Sequence, residues 1–333
     1  MRRTIVAAIG AAAAVVAAAP AQATFPGANG KLVVQRPAGN QFDLYTLSPD
    51  GSDERRILGT RRYEEEARWS PDGQRLAFAS SPPSGFPTEI RTVDALGGDA
   101  QRVTAFGSVS TAPSWAPDGA RLAFFTLKDF KPPSPDRPPP PAELYSIGTD
   151  GSGPQRLTRD RQIQTDPVYS PDGQTIAYDQ WRAVKGRPGV YDMALMLSDA
   201  DGSNPRHLTR FSGRRDTFNA SWSPDGGLIA FEVASRRPGD KERQSDLAVI
   251  TPDGTGERRL TSTRSLETSP VWSPDGTQIA FTGDRHQRKG RRERNGRRFE
   301  LYAMQADGSG VRRITHNRVA DVSPDWQPLL SAP

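Results

Sequence analysis

A large aromatic residue recurs along the chain, and acidic or polar residues precede it at fixed distances. They lie five positions before the aromatic residue (Glu64, Glu267 and Asp321) or three positions before it (Glu66, Asp166 and the uncharged Asn219). Carboxylates gathered around a narrow opening would attract cations or the amine end of a peptide. Carboxylates at loop ends also cap loops or form surface ion pairs. Both roles are open for these six candidate ligand-binding residues.

Residues for catalysis are hard to find. The chain has no GxSxG nucleophile motif, no P-loop, no HExxH and no Rossmann glycine pattern. Its three histidines, His207, His286 and His316, occupy different positions of the repeat, so each is best interpreted as a strand or surface residue. The stretch 199–202 lacks the glycine and glutamate spacing of an EF-hand calcium loop. We therefore predict no catalytic residue, no metal ligand and no cofactor.

A very basic segment precedes the last copy of the repeat. Residues 285–298 hold eight Lys or Arg and one acidic residue. Such a run is often only a solvated loop, but it can also capture a polyanion electrostatically. The candidate polyanion-binding residues are Arg288, Lys289, Arg291, Arg292 and Arg294. An anionic envelope surface is the partner that this alternative predicts, whereas nucleic acid is not expected for an exported chain.

Composition limits the fold class. The 333 residues include 31 Gly and 30 Pro, which interrupt helices and exclude a mainly helical protein. There is no cysteine, so disulfides, thiol catalysis and Cys-ligated zinc are excluded. The net charge of +5 arises from the basic segment and two N-terminal arginines, since the rest of the chain is mildly acidic.

Two alternating units repeat along the chain. The first is found at 67–78 (ARWSPDGQRLAF), 113–124, 167–178, 220–231 and 270–281, and the second at 43–58, 89–104, 143–158 (ELYSIGTDGSGPQRLT), 194–209, 246–261 and 300–315. The aromatic positions of the first unit are Trp69, Trp115, Tyr169, Trp222, Trp272 and Trp326, at spacings of 46, 54, 53, 50 and 54 residues. The second unit thus occurs six times, and the sixth copy of the first is split between the two ends of the chain.

Each unit predicts a β-hairpin. Ser-Pro-Asp-Gly and Asp-Gly-Ser provide tight turns, and short β-prone runs flank them. Two hairpins give four antiparallel strands per repeat, and six repeats predict an all-β, six-bladed β-propeller. The split copy predicts that the strand around Trp326 pairs with Lys31–Val34 and closes the ring. We expect the large aromatic residues to pack between blades, with a ligand-stacking role as the alternative.

Strand order also predicts two different faces. Turns between first and second strands and between third and fourth strands are short and share one face, here called the turn face. Connections between second and third strands and between blades share the opposite face, the loop face. The long insertions 126–142, 179–191, 232–245 and 282–299 all belong to the loop face, together with the acidic positions. Variable loops on a rigid scaffold are common binding sites, so the loop face is the predicted one.

The alternation of WSPDG-x-x-[IL]-A-F with LY-x-x-x-x-DGS-x-x-RxLT resembles the WD40-like β-propeller repeat of TolB-type proteins. The resemblance covers nearly all of the chain after the first 23 residues. It implies a periplasmic propeller that binds partner proteins and peptides at its channel, with the acidic positions facing the ligand. TolB carries an additional N-terminal α/β domain, which we expect to be absent because only Thr24–Gly27 precede the first strand.

Residues 1–23 have the features of a secretory signal. Two arginines are followed by an Ala-rich apolar stretch, 5–19, and by Ala21-Gln22-Ala23. The apolar stretch is short and weakly apolar for a membrane span, so we expect cleavage after Ala23 rather than a retained anchor. The expected product is a secreted or periplasmic, monomeric protein in which residues 24–333 form one propeller domain.

Two functions from different classes remain open. The first is a non-enzymatic scaffold that binds a protein, peptide or envelope ligand at the loop face. The second is a propeller-type lyase or hydrolase that uses channel carboxylates and a divalent metal. The lack of a histidine cluster and of a nucleophile motif favours the first.

Overall fold

The structure is a computed structural model that describes residues 25–128, 142–160, 162–186, 190–235, 244–285, 299–317 and 319–330. These residues form 24 β-strands. In chain order the strands are β1 (Ala28–Ala38), β2 (Gln41–Leu47), β3 (Arg55–Leu58), β4 (Tyr63–Trp69), β5 (Arg75–Ser81), β6 (Glu89–Asp94), β7 (Gln101–Arg102), β8 (Ser110–Trp115), β9 (Arg121–Thr126), β10 (Glu143–Gly148), β11 (Gln155–Arg156), β12 (Ile163–Tyr169), β13 (Thr175–Ala183), β14 (Tyr191–Asp199), β15 (Arg206–His207), β16 (Arg215–Trp222), β17 (Ile229–Ser235), β18 (Gln244–Ile250), β19 (Arg258–Arg259), β20 (Glu267–Trp272), β21 (Gln278–Gly283), β22 (Glu300–Gln305), β23 (Arg312–Arg313) and β24 (Val322–Leu329).

The strands form six four-stranded antiparallel sheets, which confirms the predicted six-bladed propeller. Blade I has the order β24-β1-β2-β3, and blades II to VI take β4–β7, β8–β11, β12–β15, β16–β19 and β20–β23 in turn. The ring closes as predicted, because β1 pairs with β24 and places Leu32 opposite Trp326. No helix among the described residues is long and apolar enough to cross a membrane.

The core lies between blades. All six large aromatic residues of the inner strands are buried, with at most 5% of any of them exposed. The second strands contribute Phe78, Phe124, Tyr178, Phe231 and Phe281, each at most 1% exposed. The indole Nε1 of Trp115 donates to the carbonyl of Arg68 in the preceding blade, 3.0 Å away. The repeated aromatic residue therefore packs between neighbouring blades, as the repeat predicted.

Each residue of the Ser-Pro-Asp-Gly turn has an identifiable role. In blade II the carboxylate of Asp72 accepts hydrogen bonds from the Ser70 hydroxyl and the Gln74 N–H. The Ser70 hydroxyl in turn accepts a bond from the Arg75 N–H, 2.9 Å away. These local bonds satisfy the turn without help from neighbouring loops, which explains why the turn face is uniform and short.

The glycine of each Asp-Gly turn between third and fourth strands also joins adjacent blades. Gly202 has a φ of +86°, and a Cβ there would lie 2.0 Å from the Leu157 carbonyl oxygen of the preceding blade. Gly254 occupies the same position one blade later with a φ of +84°, but its Cβ would lie 3.5 Å from the nearest atom, the Leu208 carbonyl oxygen. Blade spacing, and not only turn geometry, therefore requires glycine at position 202.

These two glycines give a matched test of blade packing. We expect Gly254→Ala to lower the free energy of unfolding by about 1–2 kcal/mol through backbone strain alone. Gly202→Ala should cost about 1–3 kcal/mol more, because two blades must move apart. Urea denaturation of both variants measures the difference. Equal losses would show that the close approach at Gly202 is relieved without cost.

Candidate functional site

A bulge interrupts every inner strand three residues before its large aromatic residue. The bulge residues all have positive φ, between +54° and +58°, and they are Glu66, Ala112, Asp166, Asn219, Ser269 and Ser323. Strand register shifts at the same point in each blade. Positive φ is costly for residues other than glycine and is concentrated at functional sites. The bulges thus form a ring of strained positions around the channel.

Side chains of preceding blades hold the bulge backbones in place. A carboxylate oxygen of Glu66 accepts the N–H of Ala112, 2.7 Å away. Both carboxylate oxygens of Asp179 accept the N–H of Asn219, at 3.2 and 3.3 Å. The side-chain oxygen of Gln35 accepts the N–H of Glu66, 2.7 Å away. The ring is therefore linked from blade to blade by polar side chains that lie at the channel wall.

Arg68 is a buried cation of the inner strand of blade II. Its side chain is fully buried and interacts electrostatically with Asp325, Glu66 and Asp166. These three carboxylates belong to the inner strands of blades I, II and IV. Arg68 is thus a positive charge among carboxylates of three blades.

Asp325 is the carboxylate that faces Arg68 from blade I. It accepts the N–H of Trp69, 2.7 Å away. Burial raises the pKa of Asp325 to about 7, although Arg68 and the hydrogen bond from Trp69 oppose the shift. In other blades a serine takes the same role, since Ser114 and Ser221 accept the N–H of Tyr169 and Trp272. Asp325 is therefore a charged replacement of a neutral acceptor.

Two carboxyl groups of blade IV share a hydrogen bond. Asp166 and Asp179 are joined directly, and burial together with repulsion from neighbouring carboxylates raises the pKa of both. Both carboxyl groups therefore retain a proton to higher pH than an exposed aspartate does. Beyond Asp179, the Asn219 side-chain amide donates to Glu232, which also accepts from Ser245. A polar network thus continues from blade IV into blade V.

The residues five positions before the aromatic residue have a different environment. Glu64 accepts from the Thr60 hydroxyl, Glu267 from the Thr263 hydroxyl and Asp321 from the Asn317 amide. In every case the donor lies four residues earlier, in the connection that enters the blade. These carboxylates are buried and stabilise loops; burial raises the pKa of Glu64 to about 6.

Ion pairs add to this loop-capping role for two of the three. The guanidinium of Arg36 donates to Asp321 over 2.7 Å. The guanidinium of Arg285 donates to Glu267 over 2.5 Å. The six predicted ligand-binding residues thus form two sets. Glu66, Asp166 and Asn219 lie on the bulge ring, whereas Glu64, Glu267 and Asp321 lie in the loop caps.

Comparison with known proteins agrees with the propeller fold. No family model matches the chain. It is 34% identical over 143 residues to the protein TolB homolog of Chlorobium luteolum, covering 43% of this chain and 29% of that protein. Over 130 residues it is 36% identical to the Tol-Pal system protein TolB of Anaeromyxobacter dehalogenans, covering 39% and 26% of the two chains. The crystal structure of TolB from Acinetobacter baumannii matches 90% of this chain and 67% of that chain, with a TM-score of 0.69 and 23% identity. The chain is a TolB-like six-bladed β-propeller.

The matches to the curated relatives are partial. The chain spans less than a third of the length of each of those two proteins. The likeness to the solved TolB structure shows the fold alone. The activity and partners of this TolB-like propeller must therefore be inferred from its own residues.

Sequence patterns alone missed several residues of this TolB-like propeller's channel. Arg68 and Asp325 immediately precede the aromatic residue in their blades, where the other blades have Ser or Val. That departure from the repeat is the signal that could have identified them. Asp179 and Glu232 lie in second strands, and no simple pattern distinguishes them from other strand residues.

Two predictions concern segments outside the description. The basic residues Arg288, Lys289, Arg291, Arg292 and Arg294, and the signal segment 1–23, all lie outside the described residues.

The insertion expected at 179–191 is largely an extended hairpin, because β13 continues to Ala183 and β14 begins at Tyr191. Trp181 and Tyr191 contact each other edge to face on this hairpin.

Proposed function

We propose that this chain is an exported, non-enzymatic β-propeller scaffold that binds a protein or peptide at the channel mouth on its loop face. The observation that carries the proposal is the ring of strained bulges that places Glu66, Asp166 and Asn219 at the channel wall. Strain repeated in every blade, with carboxylates at two of the six positions, is more than a stable propeller needs. The carboxylates of the turn face belong instead to local turns, as Asp72 does.

The charge of the channel selects the chemistry of the ligand. Among the described residues, the carboxylates that interact with Arg68 or with one another outnumber this cation, and their mutual repulsion would be relieved by a bound positive charge. A lysine side chain or the amine end of a peptide meets these requirements. The aromatic pair Trp181 and Tyr191 lies on the same hairpin as Asp179, and the Trp181 indole donates to Thr165 beside Asp166. An ammonium group would also be favoured next to aromatic rings.

Export and location are part of the proposal. The charged, apolar and small-residue segments of 1–23 support signal cleavage and a secreted or periplasmic location. One relative's name places that protein in the Tol-Pal system, which supports an envelope role here. We propose a monomer that acts through a protein partner.

The alternative function is a metal-assisted lyase or hydrolase. It needs a set of convergent ligands, and among the described residues no group of three or more His, Asp or Glu side chains could hold a metal ion. Metal analysis of protein purified without chelator separates the two functions. Stoichiometric metal that is lost in a Glu267 and Asp321 double variant would favour the enzyme.

The binding proposal is tested with charge-matched variants. A partner recovered from the cell's own envelope fraction is identified, and its affinity for the propeller is measured by calorimetry. Replacing Glu66 by Gln and Asp166 by Asn should weaken binding at least about tenfold, since both carboxylates would pair with the positive charge of the ligand. Asp72→Asn with Asp172→Asn removes the same charge from the turn face and should leave affinity unchanged. Loss of binding in the turn-face variant alone would contradict the proposed site.

A further inference from the structure

The two faces of the propeller carry opposite charge. Within the described connections of the turn face there are fourteen Asp or Glu residues and no Lys or Arg. Within the described connections of the loop face there are nine Lys or Arg and three acidic residues, of which Asp284 and Asp321 are buried. The molecule is therefore polarised along its channel axis, from an acidic turn face to a basic loop face.

Turn chemistry explains the acidic face but not the basic one. Asp72 and Asp150 each accept the N–H two residues later and thereby stabilise their turns. The corresponding hydrogen bonds recur in the other Asp-Gly turns, so aspartate is there for the fold. The exposed cations of the loop face have no such role. Six of them, here called the basic rim, are Arg61, Arg159, Lys185, Arg210, Arg214 and Arg264.

The basic rim has no acidic partner among the described residues. Across the described parts of the chain, none of its six residues forms an ion pair. They lie in four of the blade-to-blade connections and in the β13–β14 connection. Because equivalent connections of a propeller end at similar heights, these cations lie around one broad face rather than in a pocket. Such a distribution fits a flat anionic surface better than a small anion.

Exposed apolar side chains on the same face favour lipid over other polyanions. Phe86 is 51% exposed, Val190 is 43% exposed and Val319 is 39% exposed, and each lies in a loop-face connection. Nucleic acid or a phosphate polymer would gain little from them, whereas a bilayer interface accepts both cations and apolar groups. Leu96 and Leu330 are exposed on the turn face, but the acidic turns around Leu96 would repel an anionic bilayer.

We propose that the loop face docks on an anionic lipid bilayer through the basic rim and the apolar side chains between its cations, with the turn face directed away. This surface is independent of the basic segment 285–298, which lies mostly outside the description. It also goes beyond the channel site, since it orients the mouth toward the membrane. A protein partner would then approach from, or be anchored in, that membrane.

The test uses the full chain and vesicles of phosphatidylcholine with or without phosphatidylglycerol. Wild type should sediment with the anionic vesicles and be released at high salt, because rim cations are solvent-exposed. Replacing Arg61, Arg159, Arg210 and Arg264 by Gln should weaken partitioning by about fivefold per residue, thus on the order of several hundredfold in total. Phe86→Ser with Val319→Ser should weaken partitioning at low salt as well, because these side chains contribute apolar contacts with the bilayer interface.

A matched control removes four positive charges from the outer edge of the disc. Arg55, Arg102, Arg206 and Arg258 are exposed in outer strands, and their replacement by Gln should reduce partitioning far less. Both sets of substitutions are also compared in a variant whose basic segment is neutralised. In that variant serine replaces Arg288, Lys289, Arg291, Arg292 and Arg294. The proposal is overturned if the two sets behave alike, or if the rim has no effect in that background. It is also overturned if wild type prefers DNA or polyphosphate to anionic vesicles. Failure to bind lipid leaves the channel-mouth affinity unaffected, so the two proposals are tested separately.

Discussion

Deleting Pro324–Pro333 should abolish the cooperative folding of the propeller. The deletion removes most of β24, including Trp326, and leaves β1 without its inner partner. It also removes Asp325, a carboxylate that interacts electrostatically with Arg68. An open sheet edge and an exposed inter-blade core both promote aggregation. Size-exclusion chromatography and thermal unfolding measure the result, which should be aggregation or a broad, weak transition.

The control removes only residues 331–333, which follow β24 and its last described neighbour Leu330. That shorter deletion should behave as wild type. If the chain without Pro324–Pro333 stays monomeric and unfolds as sharply as the full chain, then closure by β24 does not stabilise the ring.

The fold was predictable because its determinants are local and repeated. The Ser-Pro-Asp-Gly turn is satisfied by its own atoms, such as the Ser70, Asp72 and Gln74 groups, so a short motif specifies a hairpin. The count of six units and the split copy then determine the ring and its closure. Gly202 shows the limit of that reasoning. The turn at Gly202 is predictable from the sequence, but its contact with Leu157 depends on how two blades pack.

The site was predictable only in part. Counting back from the aromatic residue located both Glu64 and Glu66, yet the two side chains differ in role because Glu66 is the bulge residue and Glu64 precedes the bulge. Glu66 adopts positive φ and reaches the next blade, whereas Glu64 stays on the strand and binds Thr60. A bulge in every blade has no residue signature, since its positions hold Glu, Ala, Asp, Asn and Ser. The interaction of Arg68 with Asp325 forms only when the ring closes, so neither residue alone predicts it.

Replacing Arg68 by valine should destabilise the propeller strongly and make its stability more dependent on pH. Valine is the residue at this position in two other blades, Val168 and Val271, so the backbone accepts it. The loss of the cation leaves buried carboxylates without their counter-charge, which costs about 3–5 kcal/mol. Trp69 and the rest of the inter-blade core are unchanged, so the effect measures the channel charges.

The sign of the pH dependence follows from the raised pKa of Asp325, about 7 in the folded protein. A carboxyl group whose pKa is raised in the folded protein keeps its proton to a higher pH there than in the unfolded chain. Stability therefore falls as the pH rises from about 4, the ordinary value for an aspartate, toward 7. Removing Arg68 raises the pKa of Asp325 further, so Arg68→Val should cost much more at pH 8 than at pH 5. If the substitution only left a cavity, it would lower the free energy of unfolding by the same amount at pH 5 and at pH 8.

The double variant Arg68→Val with Asp325→Ser completes the argument. Serine keeps an acceptor for the Trp69 N–H, as Ser114 and Ser221 do for their neighbours, while it removes the charge. We expect the double variant to recover much of the stability lost by Arg68→Val and to unfold with less dependence on pH. Chemical denaturation at pH 5 and pH 8 for the four proteins gives the coupling free energy directly. Additive losses, equal at the two pH values, would mean that Arg68 acts only by filling space in the protein interior.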